Sequence, residues 1–241
     1  MKKILTLILL FVTGYLIFVY ARFYFVVGMK DLQAPTLTRY VINEKSSTGS
    51  VKYLALGDSL SAGVGASNYQ RTFIYLQAKE LAKKNGRVTV VNLGLPGATT
   101  KDLIKSQIPQ VAIEKPDYIT LLIGTNDVHN RVSEKQFSSN FKVILDSIMS
   151  NSSAQITVIN IPYLGSSQAI LPPYDSILNY QTKKFNDIIA TLVSEHNLKL
   201  VDLYRGTLDD SHKNPDYYSP DLFHPGDVGH QLWSQLLINA N

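Results

Sequence analysis

Hydrophobic and polar positions divide the 241 residues into two unlike regions. At the start of the chain the apolar residues are continuous. Residues 4–20 carry no charge, Arg22 interrupts, and 23–27 continue apolar. From residue 51 onward the apolar residues come in short runs separated by longer amphipathic stretches. The runs at 51–56, 88–93, 118–123, 155–161 and 198–203 are rich in Val, Ile and Leu and predict five buried strands. Helical spacing predicts helices between and after them. One covers 73–84 (Phe73, Leu76, Gln77, Leu81) and stops at Asn85-Gly86. A second starts from a Thr99 or Thr100 cap and reaches Val111, with Pro109 making its last turn irregular. Further helices are expected at 133–149, 174–196 and 225–238. Strand–helix alternation predicts an α/β fold, a three-layer α/β/α sandwich around a parallel five-stranded sheet.

The N-terminal run is too long for a signal-peptide core, which spans about 7–15 residues, and is long enough to span a bilayer. Lys2 and Lys3 precede it, and Tyr20, Phe23, Tyr24 and Phe25 suit an interfacial belt. Residues 4–27 therefore read as a single-pass membrane anchor with the rest of the chain outside and Arg22 reaching the interface. The alternative is secretion after signal cleavage at Val19-Tyr20-Ala21. Residues 28–50 lack periodicity, contain Pro35 and the run Ser46-Ser47-Thr48-Gly49-Ser50, and read as a polar linker that lifts the domain off the membrane. The domain is expected at 51–241.

Composition changes this picture in two ways. The net charge of +4 lies entirely in the first fifty residues, with six Lys/Arg and two acids, so the domain is neutral and nothing points to nucleic acid. The chain has no cysteine, which removes disulfides, thiolate ligands, thiol catalysis and a lipid-modified cysteine anchor.

Four places break the alternation: Gly57-Asp58-Ser59-Leu60 after the first strand, Asn92-Leu93-Gly94-Leu95-Pro96-Gly97 after the second, Gly124-Thr125-Asn126-Asp127 after the third, and Asp221-Leu222-Phe223-His224-Pro225 before the last helix. Parallel strands deliver such segments to the carboxyl edge of the sheet, where these folds bind ligands. The first is not Gly-x-Ser-x-Gly, so the elbow of the α/β-hydrolases is not indicated.

In this order the four segments resemble the SGNH hydrolases, also called GDSL esterases and lipases, over about residues 51–239. The resemblance implies a flavodoxin-like sheet and a serine esterase. Ser59 would be the nucleophile, with Asp221 and His224 completing the triad. The oxyanion would receive the Ser59 amide, the Gly97 amide and the Asn126 side chain, Gly94 being the other candidate glycine. The residues themselves agree. A serine hydroxyl needs a base, imidazole suits neutral pH, and a carboxylate three residues earlier can fix its tautomer. Three neutral donors suit acyl transfer.

No metal or organic cofactor is expected. Asp221, His224, Asp227 and His230 can be drawn as a metal cluster, but the spacing fits no usual ligand set. His129 can border the pocket, His196 reads as a solvated helix cap, His212 lies in a polar loop, and His230 packs behind the site. Asp58, Asp127 and Asp202 read as braces and Trp233 as core. The stretch 162–173 either lines the acyl pocket or packs on its own Leu and Ile. The expected activity is cleavage of O-acyl esters through an acyl-enzyme at the extracytoplasmic membrane face. The alternatives are deacetylation of O-acetylated cell-envelope glycans, or a non-catalytic anchored binding domain. Expected partners are a small-molecule, lipid or glycan ester and the membrane, with the domain a monomer.

Overall fold

The computed structural model describes residues 2–28, 32–35, 38–46, 49–165 and 168–240. Parts of the expected linker (29–31, 36–37 and 47–48) and residues 166–167 of the 162–173 stretch lie outside the described residues. The chain opens with α1 (Lys2–Gly28), then β1 (Arg39–Ile42), β2 (Ser50–Gly57), α2 (Ser59–Ala62), a 3-10 turn (Tyr69–Arg71), α3 (Phe73–Asn85) and β3 (Arg87–Asn92). It continues with α4 (Thr100–Ser106), α5 (Ile108–Glu114), β4 (Tyr118–Leu122), α6 (Thr125–His129), α7 (Glu134–Asn151), β5 (Gln155–Ile159) and α8 (Tyr174–Glu195). The end of the chain forms β6 (Lys199–Val201), α9 (Leu203–Gly206), α10 (Leu208–Lys213) and α11 (Asp227–Asn239).

The strands lie in the order β1-β3-β2-β4-β5-β6. β2 to β6 run parallel, and their relative order is the flavodoxin-like one. The chain leaves β2 toward β3 and returns to the other side of β2 for β4. That reversal opens a crevice beyond the carboxyl ends of β2 and β4.

Alternation along the strands makes two cores. Leu54, Leu56, Ile119 and Leu121 face one side, against Leu103 of α4, Phe137 and Phe141 of α7, and Phe185 of α8. Tyr53, Ala55 and Leu122 face the other, against Phe73 and Ile74 of α3 and Trp233 of α11. This is a period of two set against helical faces.

Several expectations need correction. The sheet has a sixth strand, β1, antiparallel to β3 and inside the stretch read as linker. Arg39-Tyr40-Val41-Ile42 is strand-forming but only four residues long, too short to register as a run. The helix from Thr99 continues past Val111 to Glu114 and breaks at Gln107, the residue between α4 and α5. Pro109 then sits in the first turn of α5, where its missing N–H costs nothing. Pro225 precedes α11 and bridges to Tyr218 instead of starting the helix. His212 lies on α10, not in a loop.

The largest departure concerns α1. Its first half projects away from the domain, with Ile4, Leu7 and Phe11 exposed. Its end does not stand off on a tether. Val19 and Phe23 are buried in the core that contains α6 and α8. Tyr15 Oη donates to the Pro172 carbonyl at 2.9 Å, and the part-exposed Arg22 donates to the Gln168 carbonyl at 2.9 Å, so both tie α1 to the domain.

Candidate active site

The site begins where β2 stops. Gly57 has φ of 152°, and a Cβ there would lie 2.1 Å from the Leu122 carbonyl oxygen, so only glycine lets β2 turn this close to β4. Asp58 caps α2 by accepting the Leu60 amide at 3.0 Å. Ser59 is thereby the first residue of α2, almost buried, with its hydroxyl at the crevice.

The segment before α11 brings the other groups to it. Ser59 Oγ lies 3.0 Å from His224 Nε2. His224 Nδ1 lies 2.5 Å from Asp221 Oδ2. A carboxylate can only accept, so Nδ1 carries the hydrogen and Nε2 is left as the acceptor facing the serine. Asp221 Oδ1 accepts the Ser219 hydroxyl at 2.7 Å and the amides of Phe223 and His224, each at 2.9 Å. Leu222 takes a left-handed φ of 60° to let both amides turn inward. Burial alone would raise the Asp221 carboxyl. The bond and charge of His224, with Ser219 and the Phe223 amide, outweigh it and hold the group below the usual carboxylate range.

The remaining segments stand at neighbouring strand ends. After β3, the Gly94 amide donates to Asn92 Oδ1 at 2.9 Å and is spent there. A Cβ on Gly94 would lie 2.3 Å from the Ala62 amide nitrogen, so this glycine serves the approach of its loop to α2. Gly97 has φ of 81° with open space where a Cβ would be, and its amide has no acceptor among the described residues. After β4, Asn126 Nδ2 donates to the Ala98 carbonyl at 2.9 Å. That bond fixes the amide plane next to Gly97 and uses one of its two hydrogens. The geometry thus joins Ser59, His224 and Asp221 in one relay and brings Asn126 beside the Gly97 loop.

A model of the GDSL-like lipase/acylhydrolase family matches residues 55–232. The chain belongs to this family. It is a GDSL serine hydrolase acting on ester bonds. An arylesterase of Vibrio mimicus is 27% identical over 184 residues, 75% of this chain and 82% of that protein. The lipase/acylhydrolase from Enterococcus faecalis matches with a TM-score of 0.63 at 24% identity, over 78% of this chain and 94% of that structure. Axe2, an acetylxylan esterase from Geobacillus stearothermophilus, matches with a TM-score of 0.62 at 19% identity, over 80% of this chain and 95% of the other. The two structural likenesses are of fold.

One residue of this GDSL hydrolase's site escaped the sequence. Gln107, buried at the break between α4 and α5, clamps Gly57 from both sides. Its Nε2 donates to the Gly57 carbonyl at 2.7 Å, and its Oε1 accepts the Gly57 amide at 2.9 Å. The clamp fixes the residue from which the Asp58-Ser59 turn departs. Pro109 marked irregularity nearby, but nothing in the sequence said where the glutamine pointed.

The other ionisable groups take supporting places. Asp58 is fully buried, and burial pushes its carboxyl up to about 7; the Leu60 amide opposes this and Asp127 adds to it. Asp127 accepts the Thr100 amide at 2.9 Å and hydroxyl at 2.6 Å, tying α6 to α4. Burial holds Asp127 above its ordinary range, against those bonds. His129 lies between Phe23 and Phe223, with ring centroids at 5.0 and 5.4 Å. Burial, with the nearby His224, lowers its pKa to about 4.

His230 stacks on Phe73 and meets Trp233 behind the site, Asp227 binds Ser67, and Asp221 binds His224, so the residues drawn as a metal cluster face different partners. His196 caps α8 and also reaches Asp146 of α7 at 2.9 Å. Asp202 braces Asn160 and caps α9, and Trp233 is core, donating to Tyr217 Oη. Of the 162–173 stretch, Leu164, Ala169 and Ile170 are core. Pro162, Tyr163 and Leu164 border a void of about 10 Å³ shared with Leu60 and Phe223.

Proposed function

We propose that this chain is a membrane-anchored serine esterase whose nucleophile is Ser59, whose base is His224 and whose orienting acid is Asp221. The observation that carries this is the pair of hydrogen bonds in series, Ser59 to His224 and His224 to Asp221. Ser59 Oγ attacks the ester carbonyl carbon as its proton passes to Nε2. Asp221 stabilises the imidazolium that forms. The carbonyl oxygen becomes an anion and is met by the Ser59 and Gly97 amides and the second hydrogen of Asn126. The imidazolium then protonates the leaving alcohol and an acyl-enzyme remains. A water attacks the acyl-enzyme carbonyl while giving its proton to the same nitrogen, which releases the acid and restores Ser59.

Lys2–Gly28 supports the membrane part of the proposal. It is a 27-residue helix of mean hydropathy 2.4 in its best window, and 6% of that window is buried. Ile4 to Phe23 covers about 30 Å at 1.5 Å per residue, the hydrocarbon thickness of a bilayer. Lys2 and Lys3 favour a cytoplasmic N-terminus with the domain outside, against Arg22 and Lys30 toward the other end of the segment.

Labelling of the full-length protein in detergent with a fluorophosphonate tests the chemistry. Wild type should label at one serine. Ser59→Ala and His224→Ala should abolish labelling and lower kcat by a factor on the order of 10⁶, since the two act as a unit. A folded Ser59→Ala protein that still turned over esters would overturn the assignment.

A further inference from the structure

We propose that α1 forms part of the active-site wall as well as the anchor, and that the groove beside it receives the acyl chain of an ester resident in the outer leaflet, so the substrate is a membrane lipid. This rests on the esterase and membrane readings above and names the substrate class they leave open.

Three observations carry it. The first is proximity. Phe23 of α1 packs edge-on against Phe223 with centroids 5.4 Å apart, and Phe223 packs edge-on against the His224 imidazole at 5.0 Å. One ring therefore separates the anchor helix from the catalytic base.

The second is depth. With the last cytoplasmic charge at Lys3, the twenty residues 4–23, charged only at Arg22 next to the end, reach Phe23 about 30 Å along the helix. Phe23 then stands at the outer boundary of the hydrocarbon, and His224 stands within the headgroup layer, a zone about 5–8 Å thick on each side. Glycerolipid ester carbonyls lie at this boundary. Tyr15, two turns earlier on α1, donates to the Pro172 carbonyl, so the 168–173 segment lies against the helix.

The third is the groove. A cleft of about 580 Å³ runs between the end of α6 and α8, apolar at Tyr174, Ile177 and Leu178 and polar at its Arg131, Glu134 and Gln181 margin. Its His129, Arg131 and Tyr174 side meets the last turns of α1. Phe23 stacks on His129, Tyr20 meets Tyr174 at 5.6 Å, and Arg131 lies over the Tyr20 ring at 5.9 Å. Ile177 and Tyr180 are 58% and 63% exposed, an apolar rim on the side of the domain that α1 holds to the bilayer. Neither ring nitrogen of His129 has a hydrogen-bond partner among the described residues, and burial keeps the ring neutral, so it presents an uncharged face where the groove approaches His224. The volume suits a single chain.

Full-length protein reconstituted into phosphatidylcholine vesicles tests this. Fatty-acid release from the vesicle lipid is measured beside hydrolysis of soluble p-nitrophenyl acetate. Wild type should do both. Ile177→Asp, at an exposed position that does not threaten folding, should lower the ratio of lipid to acetate rates at least tenfold, and Ile177→Leu should restore it. Ile113→Asp, beside Glu114 at the amino edge of the sheet, should leave the ratio at the wild-type value. Wild type that cleaves the acetate but releases no fatty acid overturns the lipid assignment and leaves the esterase reading standing. An Ile177→Asp ratio equal to wild type overturns the groove. Activity on neither ester overturns the esterase reading and this inference with it.

Discussion

Replacing Asp58 with asparagine should stabilise the protein progressively as the pH rises, although the residue adjoins the proposed nucleophile. The carboxyl is fully buried, Oδ1 accepts the Leu60 amide, and Oδ2 has no partner among the described residues. Burial moves the group from 3.8 to about 7. A displacement of that size separates the two protonation states by roughly 4 kcal/mol. An unfolded aspartate ionises near 3.9, so between about pH 4 and 7 the folded state binds the extra proton and stability falls as the pH rises. The contribution is complete below about pH 4 and lost above about pH 7. Asparagine cannot ionise, yet it keeps an oxygen for the Leu60 amide. The unfolding free energy of Asp58→Asn minus that of wild type should be flat below about pH 4 and climb by roughly 4 kcal/mol toward pH 8. Relief of Asp127, which faces the Asp58 charge, adds to the climb. Urea unfolding of the full-length protein in detergent, followed by tryptophan fluorescence, measures the difference. His129 and His230, both lowered to about 4 by burial, act in the opposite direction, gaining stability from about pH 4 to 6.5, but they do so in both proteins and cancel. A difference curve that is flat, or that falls with pH, refutes the reasoning.

Asn126→Ala should lower kcat by roughly 10²–10³ with KM little altered, because the donor is needed most as the oxyanion forms. It should also cost about 1 kcal/mol of stability through the lost bond to Ala98. Asn126→Asp should turn over more slowly than the alanine variant at pH 8, since it sets a carboxylate against the developing charge. Steady-state kinetics on a soluble ester separate these outcomes, and an aspartate variant with most of its kcat removes Asn126 from the catalytic set. Gln107→Met leaves the Gly57 amide buried and unpaired, while the carbonyl keeps the Leu95 amide at 3.1 Å. It should destabilise by about 1–3 kcal/mol, read by urea unfolding, and lower kcat as the Asp58-Ser59 turn loosens.

The sequence revealed elements long enough to show a period and residues whose chemistry is rare. Five strands and the helices over α3, α7, α8 and α11 were legible because each repeats its apolar spacing several times. Ser59, Asn126, Asp221 and His224 stood out as candidates because their segments break the alternation just past a strand or before the last helix, and in that order resemble the family's motifs. What stayed hidden has one physical character, since it depends on tertiary direction and not on local pattern. β1 has four residues and becomes a strand only because the β3 edge accepts it. Gln107 has no local signature, and its role exists only because α4 ends opposite Gly57. Position just before the helix favours Gly97 over Gly94, and what position cannot show is that Asn92 already claims the Gly94 amide. The packing of α1 was hidden for the same reason. Hydropathy reports that Phe23 is apolar, not that Phe223 and His129 await it.

In the proposed mechanism the surroundings of Ser59 also account for how three neutral donors could suffice. An oxyanion is stabilised by fixed dipoles only if no nearby permanent charge competes for them or repels it. Asp58 and Asp127 are carboxyls that burial pushes toward neutrality. His129, beside the base, is held neutral down to about pH 4, so it does not oppose the positive charge His224 acquires. Asp221 is the exception, and it is the one carboxylate here whose oxygens receive four donors, including His224 itself. Its charge is spent on the imidazole and faces away from the oxyanion. The reaction then creates its own pair of charges, imidazolium and oxyanion, in a site already polarised to receive both. On this account Asp58→Asn should disturb turnover far less than Asn126→Asp. The two are opposite exchanges of acid and amide near Ser59: below about pH 7 the first removes a carboxyl that burial keeps largely neutral, and the second adds a charge where the transition state is negative. Equal losses of kcat in the two variants would show that the site does not discriminate charge by position, and would sink the electrostatic argument while leaving the triad intact.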